Sequence, residues 1–158
     1  MTIPYREIAE EKYVPNIHVV SASGGETRQL TTDDHKVAWA TIRYSPDGRW
    51  MAYFTEDRTL NLLPLQGGEP RVLTEVPRVH SHTELAWSPD GRKIAYTAVG
   101  SIWVAEIEGG ESAELLTGVL TGESQEVHID WSPDGEKIVF SAATGGDREL
   151  WLISDFLR

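Results

Sequence analysis

Apolar and polar residues alternate along this chain in short stretches, and the same stretches return. Ile17 and Val19, Leu60 and Leu62, Ile102 and Val104, and Leu150 and Leu152 each put two apolar side chains on one face of an extended segment. A period of two predicts strands with one buried face. Between Glu84 and Thr117 the pattern resolves into four such segments. "ELAWS" is a first strand (a), "KIAYTAV" a second (b), "SIWVAEI" a third (c) and "AELLT" a fourth (d). Each is short, rich in β-branched and aromatic residues, and bounded by Gly, Pro, Asp or Ser.

The four-strand phrase is a repeat. An aromatic residue followed by Ser-Pro-Asp-Gly begins at Tyr44, Trp87 and Trp131, in steps of 43 and 44. Leu-Thr falls at Leu30, Leu73 and Leu116, and Gly-Gly at Gly24, Gly67 and Gly109. Three markers with one period identify an array of similar units. Ser-Pro-Asp-Gly lies between strands a and b. There Pro presets φ for a tight turn, Gly accepts the left-handed conformation, and Ser can bond back to the turn. Turn chemistry thus accounts for every letter of the motif. Gly-Gly serves a second hairpin before strand d. The units run roughly over 1–31, 38–74, 81–117 and 126–158. The first supplies strands b, c and d, with strand a missing or reduced to "TIP", and the last supplies a, b and c.

A repeat of 40–45 residues with four strands is the signature of a β-propeller blade. The phrase "WSPDGRKIAYTAVGSIWVAEIEGGESAELLT" resembles the TolB-like, WD40-like group of Trp-Ser-Pro-Asp-Gly repeats. It also looks like the non-catalytic propellers of prolyl oligopeptidases and dipeptidyl peptidases. It departs from the Trp-Asp repeat proper, having no Trp-Asp at the end of strand c. The resemblance covers about Ile8 to Phe156 and implies an all-β propeller of about four blades of antiparallel four-stranded sheets with incomplete terminal blades. It implies protein partners and no catalysis, and its members are often periplasmic.

Composition narrows the partners. The net charge of −11 repels a phosphate backbone and an anionic bilayer surface, so neither nucleic acid nor membrane insertion is expected. No run approaches the length of a membrane span. With no cysteine there is neither a disulfide framework nor a thiolate metal site. "MTIPYREIAEEKYVP" lacks the basic and apolar regions of a signal peptide.

A blade is covered on both flanks by neighbours, and about four blades are fewer than a wide ring needs. The expected resolution is a homodimer joined end to end, each chain forming half of an eight-bladed ring. A self-closed four-bladed monomer and a fragment of a larger propeller are the alternatives.

No nucleophile elbow, zinc-protease helix motif, P-loop or dinucleotide fingerprint occurs, so no catalytic residue and no cofactor is assigned. The connections from strand d to strand a gather at one face and hold His35, His80, His82, Glu84 and His128. Clustered histidine can mean a metal. A solvated loop surface explains the same residues, and no metal site is assigned. On strand a, Thr41, Glu84 and His128 align, as do Arg43, Ala86 and Asp130. Arg43, Glu84, His128 and Asp130 then form a polar wall on the channel. It serves either as ion pairing between neighbouring blades, Arg43 with Asp130 across a dimer or ring, or as a channel-mouth site for a peptide or small polar ligand. Trp103 and Trp151 sit at equivalent positions of strand c, where packing between blades accounts for them.

Overall fold

Strand-forming residues and Gly-centred turns dictate the architecture of the computed structural model. It describes residues 15–38, 40–79, 83–118, 128–144 and 147–154. The chain divides into two compact units, Met1–Val37 and Ala38–Arg158. Segment 1–14, assigned above to strand b of the first unit, lies outside the described residues.

In the first unit β1 (His18–Val19) pairs antiparallel with β2 (Arg28–Gln29), His18 opposite Gln29 and Val19 opposite Arg28. Buried Thr31 ties the unit together. Its hydroxyl accepts the Ile17 N–H at 2.8 Å and donates to Asn16 Oδ1 at 3.1 Å. A single 3-10 turn follows at Asp33–His35.

The described residues of the second unit form three sheets. β3 (Arg43–Tyr44), β4 (Trp50–Phe54), β5 (Thr59–Pro64) and β6 (Arg71–Glu75) make a four-stranded meander. β7 (Leu85–Trp87), β8 (Lys93–Ala98), β9 (Ser101–Glu106) and β10 (Ser112–Leu116) make a second. β11 (Ile129–Trp131), β12 (Lys137–Thr144) and β13 (Asp147–Ser154) make a third, of three strands. All pairings are antiparallel, so strands a to d appear in the predicted order in both complete sheets.

The apolar faces meet between sheets. Ala52, Phe54, Leu60 and Leu62 of the first sheet pack with Leu85, Trp87, Ile94 and Tyr96 of the second. Ala86, Ala95 and Ile102 on the other face of the second sheet pack with Ile129, Trp131, Ile138 and Phe140 of the third. Phe54 meets Tyr96 of the next sheet edge-on at 6.0 Å, while Trp103 stacks at 6.4 Å on Tyr96, its cross-strand partner in the same sheet, and packs partly buried against this cluster. The Trp151 side chain lies outside what the structure describes.

Two contacts recur from sheet to sheet. The Trp87 indole N–H donates to the Arg43 carbonyl at 3.3 Å, and that of Trp131 to the Ala86 carbonyl at 3.1 Å. Arg43 and Ala86 occupy the same place in the repeat, so the tryptophan before the second and third Ser-Pro-Asp-Gly reaches back one sheet to the equivalent backbone atom. The turns also touch. A β-carbon built on Gly91 would lie 3.8 Å from Pro46 Cδ, and one on Gly135 would lie 3.7 Å from Pro89 Cδ.

Inside each turn the chemistry is identical. Ser45 and Ser88 hydroxyls donate to Asp47 and Asp90 carboxylates at 2.6 Å, and Ser132 does so to Asp134. Backbone N–H groups of Arg49, Arg92 and Glu136 add a second bond to each carboxylate at 3.0 Å. The serine oxygens also accept from Trp50, Lys93 and Lys137 N–H at 2.9 Å. These donors, the serine hydroxyls first, hold all three carboxyls below their usual 3.8. The folded chain therefore binds fewer protons than the unfolded chain in the acid range. The stabilisation is complete above the ordinary aspartate pKa and is lost as pH falls through the depressed values. We expect urea midpoints measured from pH 6 down to pH 2.5 to fall less steeply for Asp47→Asn/Asp90→Asn/Asp134→Asn than for the native chain. Parallel curves would dissociate the turns from acid sensitivity.

The hairpin between β8 and β9 turns on Val99 (φ 50°) and Gly100 (φ 75°). Two left-handed residues suit Asn-Gly, and a β-branched residue there is strained. Val99 is 62% exposed and loses no packing on replacement. Val99→Asn is expected to stabilise the fold by about 1 kcal/mol, read as a raised urea midpoint at unchanged slope.

Candidate functional site: a groove across the inner strands

The inner strands β3, β7 and β11 are short because each is followed at once by its Ser-Pro-Asp-Gly turn. Their preceding residues are nonetheless held to the sheet. Glu84 N–H donates to the Thr97 hydroxyl at 3.0 Å, and His128 N–H to the Ser141 hydroxyl at 2.9 Å. The return bonds, Thr97 N–H to the Glu84 carbonyl and Ser141 N–H to the His128 carbonyl, are both 3.0 Å. Hydroxyl residues on strand b thus fix the backbone from which Glu84 and His128 project. Sequence reasoning passed over Thr97 and Ser141. Their signal was a hydroxyl at one repeat-equivalent place in two units.

Arg43, Tyr44, Pro46, Ala86, Trp87, Ile129 and Asp130 line a groove of about 300 Å³. Two of the expected site residues, Arg43 and Asp130, meet here with Ala86 in the row between them. Ala86, Trp87 and Ile129 are buried and supply a small apolar floor, while Tyr44 is 57% exposed. Arg43 is partly engaged already. Its Nη2 lies 3.4 Å from Glu84 Oε2, and its Nη1 donates to the Ile42 carbonyl at 3.1 Å. Within the chain Arg43 pairs with Glu84 of the neighbouring sheet, a pair distinct from the Arg43–Asp130 pairing expected across a dimer or ring. At a half-exposed guanidinium such a pair contributes little to stability. Asp130 is exposed, and its Oδ1 accepts the Trp131 N–H at 2.8 Å. Among the described residues no cation pairs with it. The His128 side chain is exposed beside the start of β11.

None of the remaining candidates is among the lining residues of this groove. His35 belongs to the first unit, where its Nδ1 accepts the Thr32 N–H at 2.9 Å within a local turn. His80 and His82 lie outside the described residues. Among the described residues no three His, Asp or Glu side chains converge as a metal would require. Larger clefts of about 440 and 560 Å³ occur on outer strands. Neither is lined by any of the expected site residues.

Antiparallel sheets in series, their inner strands lined up on one wall, are the blades of a β-propeller. No protein-family profile matches the sequence, and no curated protein does. Solved structures do match, and they are propellers. TolB from Acinetobacter baumannii superposes with a TM-score of 0.72 at 17% identity, over 88% of this chain and 35% of that one. Putative TolB from Agrobacterium tumefaciens gives 0.65 at 24% identity, over 88% of this chain and 51% of that one. An oligogalacturonate lyase in complex with manganese gives 0.71 at 18% identity, over 87% and 40%. The chain is a partial propeller of TolB-like fold, spanning between about a third and a half of the chains it matches.

Proposed function

We propose that this chain is a non-catalytic binding propeller that docks a protein or peptide segment on its inner-strand groove. The groove carries this reading. Arg43 and Asp130 offer opposite charges on either side of the small Ala86, with an exposed tyrosine alongside, all set on rigid strands and turns. Polar groups placed around an apolar floor are the ordinary make-up of a recognition site. The likeness to a lyase rests on 18% identity and carries the fold alone.

Two copies joined end to end complete the ring in this reading. The repeated indole-to-carbonyl bond supports it, because one sheet already receives the next through the same atoms. Light scattering tests the assembly: the mass of two chains is expected, and the mass of one overturns it. Pull-down from a peptide library with native chain and Arg43→Ala/Asp130→Ala tests the docking, which requires capture by the native chain only. The second reading, a piece of a larger propeller, is favoured by the 35% and 51% coverage of the TolB chains. It expects a single-chain mass.

A further inference from the structure

We infer that the groove selects a cationic side chain, the lysine or arginine of an extended partner peptide; this rests on the docking role just proposed. The charges on its rim are not balanced. Arg43 is held by Glu84 and by the Ile42 carbonyl, so its attraction for an anion is already reduced. Asp130 has no cation among the described residues and spends one oxygen on a backbone N–H. Glu84 and Asp130 together against Arg43 leave the inner wall net negative. The chain as a whole carries −11, which concentrates cations at its surface and lowers the local concentration of anions.

Shape and chemistry agree with the charge. The exposed Tyr44 ring lines the same groove as Asp130. An aromatic face beside a carboxylate attracts an ammonium or guanidinium group. The protein already uses such a contact, with the Arg71 guanidinium 5.5 Å from the centre of the Trp50 ring. The apolar floor of Ala86, Trp87 and Ile129 suits the methylene stem of the same side chain. A volume of about 300 Å³ lies at the small end for a ligand pocket and fits one side chain with its own backbone better than a folded partner surface.

The test uses the whole chain and three peptide probes, acetyl-Gly-Lys-Gly-amide, its Nε-acetyl-lysine form and acetyl-Gly-Glu-Gly-amide, followed by amide NMR shifts. The lysine peptide is expected to move the Tyr44, Ala86 and Asp130 signals saturably, with the acetylated and glutamate peptides about tenfold weaker or silent. Asp130→Asn is expected to weaken lysine-peptide binding about tenfold and Tyr44→Leu several-fold. Glu114→Gln on the outer strand β10 should leave it unchanged, which separates local recognition from overall charge. Equal binding of all three peptides at these signals, or an unchanged affinity in Asp130→Asn, overturns the cation selectivity while leaving the docking role standing. Silence from all three overturns the selectivity, and the docking role is judged separately by the library pull-down.

Discussion

Gly110→Ala is expected to destabilise the fold by at least about 3 kcal/mol. Gly110 closes the turn between β9 and β10 at φ 69°, a conformation that costs any L side chain. Its larger effect comes from the neighbouring sheet. A β-carbon on Gly110 would stand 2.3 Å from the carbonyl oxygen of Leu73 in β6. That oxygen belongs to a strand and cannot rotate away as a side chain would. The adjoining contact is made by Arg71 of the same strand, which donates to the Ile107 carbonyl at 3.1 Å. A methyl group must therefore push two sheets apart. Gly109→Ala is the internal control: φ there is 88°, with nothing within 4 Å of a new β-carbon. It should cost only the backbone strain, about 1–2 kcal/mol. Urea unfolding of both variants measures the difference. Equal losses would show that the sheets yield at no cost.

Trp131→Ala is expected to cost about 3–5 kcal/mol. The side chain is 6% exposed and fills the contact between the second and third sheets with Ile102, Ile129, Ile138 and Phe140. Removing it opens a cavity lined by Ile102, Ile129, Ile138 and Phe140 where the two sheets meet. Trp131→Phe separates the hydrogen bond from the volume. It keeps most of the ring and deletes the donor to the Ala86 carbonyl, for an expected loss of about 1–2 kcal/mol. Hydrogen exchange adds a spatial readout. Protection should fall first in β11 and β12, and a uniform loss would mean that the sheets unfold as one unit.

These two positions also mark how far the sequence could be read. Trp131 was visible as a repeated aromatic, and the strand order, the turn role of Ser-Pro-Asp-Gly and the apolar face of strand c followed from period and turn chemistry. Those are local rules, and every copy of the repeat restates them. The indole-to-carbonyl bond was not visible, because its acceptor is a backbone atom about one repeat away that no side chain advertises. Gly110 read as an ordinary hairpin glycine for the same reason: its tight neighbour is the Leu73 carbonyl. In the groove, alignment of the copies put Arg43, Ala86 and Asp130 in one row. It could not tell that Glu84 would take Arg43, since alignment gives the row and not the reach of the side chain. Tyr44 reads in the sequence as one more aromatic before the turn, and its exposure distinguishes it from the equivalent and buried Trp87.

The bond from the Trp87 and Trp131 indoles to the preceding sheet's backbone makes the blades interchangeable as building blocks. A block of 43 or 44 residues carries both the donor it offers backward and the acceptor it presents forward, so copying such a block inside the array inserts a finished joint with no new surface to invent. Growth by tandem duplication is thus open to this architecture at the level of single atoms. A synthetic chain in which residues 81–123 are doubled should fold with one more sheet of the same kind.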